Sequence, residues 1–469
     1  MPAPVETLYW YDLETTGIRP GHDRVLQFAG VRTDTDLNII DTPQNVYCQL
    51  SDEILPSPEA LMVTGIRLSR LGADGLSERE FAQTIFKQFS QPGTCVVGYN
   101  NLRFDDEFVR NLFYRNFLDP YVREWKNGNS RWDVIDVVRM AYALRPEGIR
   151  FGRNADGGPV FKLESLSTAN GITHDDAHDA VSDVMATVQL TRLIRQAQPR
   201  LYDYLFGLRR KDAVLQTLYP LGKQPLVHVS SMYPNARGCA ALVVALCQHP
   251  EVSNGVLCYD LMEDPEPLMT LDPATLRRRL FTRRDELGED EPRLRVKTIR
   301  VNKCPAIAPA GTMTREIGAR LGIDVDQCMG NFKRLQRASG VVERLQEAVG
   351  GREFAPRTDP DLMLYDGFFD DQERALMNQV GGMDGGALAE STMPFRDQRL
   401  PELLFRYRAR NFRESLSQSE VQRWNVFRRE RWHDGADIAE TRAQIASLPE
   451  SPVLQDLRAH LDRIEGEVF

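Results

Sequence analysis

The sequence predicts an α/β protein of three successive segments, and three observations predict it. Strand-like and helix-like patterns alternate through residues 1–197, the texture changes at Pro199, and it changes again after Gly350-Gly351. In the first segment, Leu8-Tyr9-Trp10-Tyr11 leads into Asp12 as a buried strand. Residues 24–33 and 44–49 are further strands, rich in Val, Phe and Tyr. Ser77-Glu78 starts a helix that runs to Phe89, and residues 94–98 form a short apolar strand ending at Tyr99-Asn100-Asn101. Helical patterning follows over residues 105–116 and 132–143. A last helix covers residues 177–194, with Val181, Val184, Val188 and Leu193 on or near its apolar face. Strands with interleaved helices predict a central mixed sheet. In the second segment, residues 198–350, the apolar runs at 225–229, 242–246, 256–261 and 297–301 are interrupted by helical patches, which predicts a strand-containing α/β domain. Gly350-Gly351 and residues 356–360 form a linker. From Leu362 the chain is helical in pattern, so residues 356–469 form a third, mainly α domain.

Composition narrows the function classes. At 469 residues the chain is long for one core. Its 42% hydrophobic and 27% charged residues are those of an ordinary soluble protein. No run of eighteen apolar residues occurs, so no membrane span is expected, and the first six residues do not resemble a secretory signal. The seven cysteines are scattered and never spaced as CxxC. That fits reduced thiols in the cytoplasm and argues against a zinc ribbon or a disulfide framework. The net charge of −9 argues against loose coating of DNA, but not against a nuclease, in which only the groove must be basic.

Three short patterns carry the chemistry. In Asp12-Leu13-Glu14, residues two apart on a strand point to the same side, so two carboxylates project together from an otherwise apolar strand end. A divalent cation is their natural partner. A bare DxE is more often a solvated strand end. Asn100-Asn101-Leu102-Arg103-Phe104-Asp105-Asp106 puts an acidic residue at a helix start, where, on this segment alone, capping is at least as good a reading as metal binding. In His178-Asp179-Ala180-Val181-Ser182-Asp183, five helical residues turn through about 500°. His178 therefore belongs to the loop or first turn, reaching back over the site, while Asp183 faces the sheet. An Asp on that side is costly unless paired or metal-bound.

DxE, NxxxFD and HxxxxD in this order and spacing resemble the DEDD exonuclease superfamily, in its histidine-bearing branch. The resemblance to bacterial exonuclease I goes further, through Gly98 to Glu107, Asn129 to Asp133 and Ala143 to Gly148, then Pro225 to Ser230, Asn302 to Pro305 and Tyr407 to Phe412, and so covers essentially the whole chain. It implies an RNase H-like exonuclease domain, an SH3-like domain and a C-terminal helical domain, in line with the segments 1–197, 198–350 and 356–469. It implies a processive 3′–5′ exonuclease that degrades single-stranded DNA to 5′-mononucleotides, in DNA repair and recombination. By the same resemblance, Asp12, Glu14, Asp105 and Asp183 hold two Mg²⁺ ions roughly 4 Å apart, with Mn²⁺ as a substitute, for two-metal hydrolysis. Asp105 is preferred to Asp106 because the ligand directly follows Phe104. His178 acts as general base, since an imidazole pKa near 6.5 suits that task.

The resemblance also assigns substrate contacts to Glu14, Arg110, Tyr121, Trp125, Arg139, Arg145 and Lys162, and Lys303 is a candidate for the same groove. A single-strand groove needs basic groups for phosphates and aromatic faces for bases. Tyr121 and Trp125, four apart, have core packing as their alternative fate. Lys162 stands where the family has an arginine, keeping the charge but losing the bidentate fork. Tyr407, Arg408 and Arg410 are further candidates for the groove, and Arg277-Arg278-Arg279 reads as solvated surface. A monomer is implied, as is a partner, the acidic C-terminal tail of single-stranded DNA-binding protein, with Tyr204 and Arg145 as candidate contacts. Three rivals remain in view. An exoribonuclease of the superfamily lacks the last 270 or so residues, a scaffold would lack a carboxylate, and an endonuclease would cut a circular strand.

Overall fold

The computed structural model describes residues 5–174, 179–289, 291–351, 355–433 and 437–468. The chain forms two compact units, one of Met1–Ser130, His174–Met185 and Pro356–Phe469, the other of Arg131–Thr173 and Ala186–Ala355.

The first unit is built on strands β1 (Thr7–Thr15), β2 (Val25–Thr33), β3 (Gln44–Tyr47) and β4 (Thr94–Gly98), laid side by side as β3-β2-β1-β4. β1 pairs antiparallel with β2 and parallel with β4, so the sheet is mixed as expected. Tyr9, Tyr11 and Leu13 of β1 pack with Phe28, Phe81 and Phe89 in an aromatic core, covered by helices Glu78–Phe89 and Asp105–Arg115. The first of these helices opens on a reciprocal cap, in which Ser77 accepts from the Glu80 amide while the Glu80 side chain takes the Ser77 amide. Two short helices, Pro58–Thr64 and Leu68–Asp74, escaped the sequence reading because seven residues are too few to display a period.

The C-terminal helices belong to this same unit. Leu454, Leu457, Leu461 and Ile464 share a core with Leu26, Leu61 and Leu71, and Leu400, Leu403 and Tyr407 share another with Tyr114 and Phe117. Arg410 is buried between Glu53 and Asp361, with its Nε 2.8 Å from Glu53 and its Nη2 2.7 Å from Asp361. Tyr407 is internal, and Arg408 is engaged by Glu420 and the Ser415 carbonyl. These three side chains are structural, contrary to the expectation that they line a groove. Their alternation of aromatic and basic types is equally the pattern of a helix bridging two cores.

The second unit starts within β5 (Ser130–Asp133). The structure corrects the expected helix over 132–143. Trp132 lies in the strand, and the helix begins at Val134, with Asp133 accepting from the Ile135 amide as its cap. A small hairpin, β6 (Gly152–Arg153) with β7 (Pro159–Val160), precedes a second sheet. That sheet joins β8 (Pro225–Val229), β9 (Ala240–Gln248), β10 (Gly255–Asp260), β11 (Val296–Arg300) and β12 (Ile307–Pro309) in the order β11-β10-β9-β8-β12, with antiparallel neighbours throughout. Within the Arg277 triplet, Arg278 is exposed beside Glu291, but Arg279 is buried and donates to the Pro292 carbonyl at 2.9 Å.

Candidate metal centre

The alternation of β1 builds the site. Its odd residues enter the aromatic core, so the even residues share the opposite face, and these run from Trp10 to Asp12 and Glu14. A bulge between Glu14 and Thr15 ends the regular pairing with β2. Gly17 follows in a turn so tight that a Cβ on it would lie 2.6 Å from the Asp23 carboxylate.

Ligand oxygens from Asp12, Glu14 and Asp183 lie within 4.8 Å of one another. Asp183 comes from the first turn of helix Ala180–Ala197, and Asp179 caps that turn by accepting from the Ser182 amide at 3.3 Å. Burial, then the charges of Asp105, Asp183 and Asp179, hold the Asp12 carboxyl well above the usual carboxylate range. Burial, then Asp12, Asp183 and Asp179, push Glu14 up to about 9. Converging acids of this kind repel one another unless protons or a divalent cation neutralise them. A donor set made only of carboxylate oxygens fits Mg²⁺ or Mn²⁺ better than zinc or copper.

The structure separates the two acids that follow Phe104. Asp106 is fully buried, accepting from Tyr11 Oη at 2.8 Å and from Arg123 Nη2 at 2.8 Å. Asp105 is the one whose charge bears on Asp12. His178 lies outside the described residues. His174, which the spacing argument passed over, is in direct contact with the cluster, its Nε2 bonded to Oδ1 of Asp183. Asp179 was also passed over. It accepts from Gln27 Nε2 at 3.3 Å as well as capping its helix, and only its place before an apolar helical run signals it in sequence.

A cavity of about 610 Å³ adjoins Glu14, lined by Leu13, Ile18, Val63, Phe104 and Arg431 among others. Elsewhere on the same unit is an aromatic surface. Trp125 is 68% exposed and Phe368 81% exposed, and the Tyr121 ring meets Phe368 edge-on at 5.4 Å. Tyr121 and Trp125 flank a 3-10 turn and do not share a helix. Tyr365 and Phe368 escaped the sequence reading, because an exposed aromatic in a loop has no period to betray it. Arg110 is buried, held by Glu124 at 2.8 Å and Glu107 at 2.9 Å. Burial opposes its charge, but those two carboxylates raise its pKa above the ordinary value. In the second unit, Arg139 is buried against Asp136 at 2.8 Å, Arg145 and Lys162 are exposed, and Lys303 is half-buried.

Three family models match the chain, an exonuclease model over residues 9–191, the exonuclease I SH3-like domain over 209–349 and the exonuclease I C-terminal domain over 358–461. The chain belongs to the exonuclease I family. With the family come an RNase H-like exonuclease domain, an SH3-like domain and a C-terminal helical domain, and the enzyme class exodeoxyribonuclease I. The exodeoxyribonuclease I of Escherichia coli K12 is 45% identical over 425 residues, which cover 90% of this chain and 89% of that protein. The E. coli exonuclease I structure in complex with a dA16 oligonucleotide matches with a TM-score of 0.93 at 41% identity, over 99% of this chain and 100% of that one. The zinc-bound form of the E. coli complex with single-stranded DNA matches with a TM-score of 0.93 at 41% identity, over 98% and 100%. Among the described residues no helix is long and apolar enough to cross a membrane.

Proposed function

We propose that the enzyme removes nucleotides one at a time from the 3′ end of single-stranded DNA, processively, releasing 5′-mononucleotides. The observation that carries this reading is the convergence of Asp12, Glu14 and Asp183 within 4.8 Å, with Glu14 also lining a cavity of about 610 Å³. Asp12, Glu14, Asp105 and Asp183 would hold two Mg²⁺ ions, which supply charge stabilisation for the attacking and leaving oxygens of an in-line displacement at phosphorus. The metal-bearing E. coli relative supports divalent-ion use. Glu14 belongs to both cluster and cavity, so it also meets the terminal nucleotide. The apolar walls at Ile18, Val63 and Phe104 suit a base of any identity. His178 takes a proton from the attacking water.

Upstream nucleotides stack on Trp125, Tyr121, Phe368 and Tyr365, a sequence-tolerant mode of holding single strands. Arg110, committed to Glu107 and Glu124, supports this surface from below, its guanidinium 5.6 Å from the Tyr121 ring centre. Arg139, buried against Asp136, has a supporting part of the same kind. Exposed Lys162 and Arg145, together with Lys303, meet phosphates. Residues 1–197, 198–350 and 356–469 are the proposed extents of the three domains. The setting we infer is a cytoplasmic monomer in DNA repair and recombination. The acidic tail of single-stranded DNA-binding protein is its proposed partner, with exposed Arg145 and Tyr204 as candidate contacts.

The test is 5′-labelled single-stranded DNA, with an open or a blocked 3′ end, incubated in Mg²⁺ with wild type and Asp183→Ala. Shortening of the open strand alone, by wild type alone, is the expected result. Equal activity of the variant would overturn the carboxylate assignment, and shortening of RNA alone would change the substrate class.

A further inference from the structure

His174 is nearly enclosed, its side chain only 5% exposed, and it ends the described segment that precedes the helix of Asp183. Its Nε2 contacts Oδ1 of Asp183, and its buried Nδ1 has no hydrogen-bond partner among the described residues. Among the described residues, the ring directs its hydrogen bond at a single oxygen of one carboxylate. A metal ligand is an ionised carboxylate and only accepts, so with Asp183 in that state the proton of the bond is on Nε2. The converging oxygens come from Asp12, Glu14 and Asp183; His174 is not one of that mutually close group, and it touches the third of them.

We propose that His174 is a positioning residue of the metal centre. It ties down Oδ1 of Asp183, so that the carboxylate is presented to the cation in one orientation. The physical basis is general. A carboxylate on a helix rotates about χ2 with little resistance, and a flexible ligand forfeits affinity when a cation must freeze it. A donor held by burial removes that freedom in advance, and losing such a partner typically weakens metal binding about 10–100-fold. The inference rests on Asp183 being a metal ligand, as proposed above.

Calorimetric titration of Mn²⁺ into the full-length chain tests it, with wild type, His174→Ala, His174→Gln and Asp183→Ala compared. A glutamine amide reaches about as far as Nε2 and can donate the same bond. The expected result is a dissociation constant for Mn²⁺ raised about 10–100-fold in His174→Ala and largely restored in His174→Gln. Single-stranded DNA affinity in EDTA should be unchanged in both, and the lost activity of His174→Ala should return as Mn²⁺ is raised. Thermal melting in EDTA identifies any variant that fails to fold, and should His174→Ala do so, His174→Leu takes its place in each comparison. Unchanged Mn²⁺ affinity in His174→Ala, with Asp183→Ala impaired, would overturn the role of His174 and leave the metal centre standing. Failure of His174→Gln to bind better than His174→Ala would overturn positioning by a hydrogen bond. Unchanged affinity in Asp183→Ala would remove the metal-site reading itself.

Discussion

Adjacent acids at the start of one helix do different work. Asp105 bears on Asp12, whereas Asp106 neutralises the fully buried Arg123. Asp105→Asn should therefore cut nuclease activity more than about 100-fold, because even a residue one step removed from a metal costs roughly 10–100-fold, and should leave the melting temperature in EDTA nearly unchanged. Asp106→Asn should do the reverse, losing about 3–5 kcal/mol of stability by stranding a buried guanidinium. Urea unfolding beside a nuclease assay checks both, and loss of stability in the Asp105 variant alone would reverse the assignment. Glu14 supplies a pH signature. Its folded pKa of about 9 stands above the ordinary 4.5. Without metal, the stability tied to its proton is fully present below about 4.5 and is lost as the pH rises through about 9. A cation takes over from that proton. The gap in melting temperature between Mg²⁺ and EDTA should therefore widen as pH climbs from 5 to 9, and a constant gap in scanning fluorimetry would count against a metal at Glu14.

At the scale of elements, helix Arg399–Asn411 is anchored by charge. Burial alone would raise the pKa of Glu53, but Arg410 and Arg24 bring it down to about 2. Arg410 and Arg406 likewise hold Asp361 well below the carboxylate range against its burial. Folded pKa values below the unfolded ones mean that this stability is present above about 4.5 and is lost as the pH falls toward 2. Arg410→Met should leave Glu53 and Asp361 buried without that partner and cost about 3–5 kcal/mol in urea unfolding. A change below about 1 kcal/mol would mean that the apolar contacts of this helix suffice. Helix Pro452–Val468 adds an earlier acid limb. Burial and the nearby Arg463 charge push His460 down to about 4 from 6.5, so the unfolded chain takes the proton first as the pH drops through that window. His460→Gln should flatten stability between pH 6.5 and 4 and leave the steeper loss below 4.5 in place, as acid titration followed by circular dichroism would record.

Across the whole molecule, the compact unit that holds the carboxylates is assembled from both ends of the chain. Trp432, Leu454, Leu457 and Leu461 complete a core begun by Leu26 and Leu61. Residues 1–197 expressed alone should therefore expose that apolar face and lack a cooperative melt, whereas a cooperative, active fragment would contradict the shared core. The aromatic surface is also assembled from distant segments, since Tyr121 and Trp125 stand some 240 residues before Tyr365 and Phe368. Trp125→Ala and Phe368→Ala should each raise the KM for single-stranded DNA with little change in kcat, by roughly the 1–3 kcal/mol that a stacked base contributes. A fall in kcat at constant KM would move these residues from the DNA path to the chemistry.

By itself the sequence determined the α/β order, most strands of both sheets, and the pairing of Asp12 with Glu14. Period and composition are local properties, and β1 needs only its own alternation to put two carboxylates on one face. Spacing and family likeness chose Asp105 over Asp106; the fold engages Asp106 with Tyr11 and Arg123, and the mutually close ligand group among the described residues is Asp12, Glu14 and Asp183. The tertiary structure alone decided what depends on distant partners. It turned Arg110, Arg139, Arg408 and Arg410 inward onto carboxylates, since a buried guanidinium must be paired and the partner is not written beside it. It set His174 against Asp183 and left Trp125 and Phe368 on the surface. A side chain's neighbours across space are a property of packing, which no local pattern encodes.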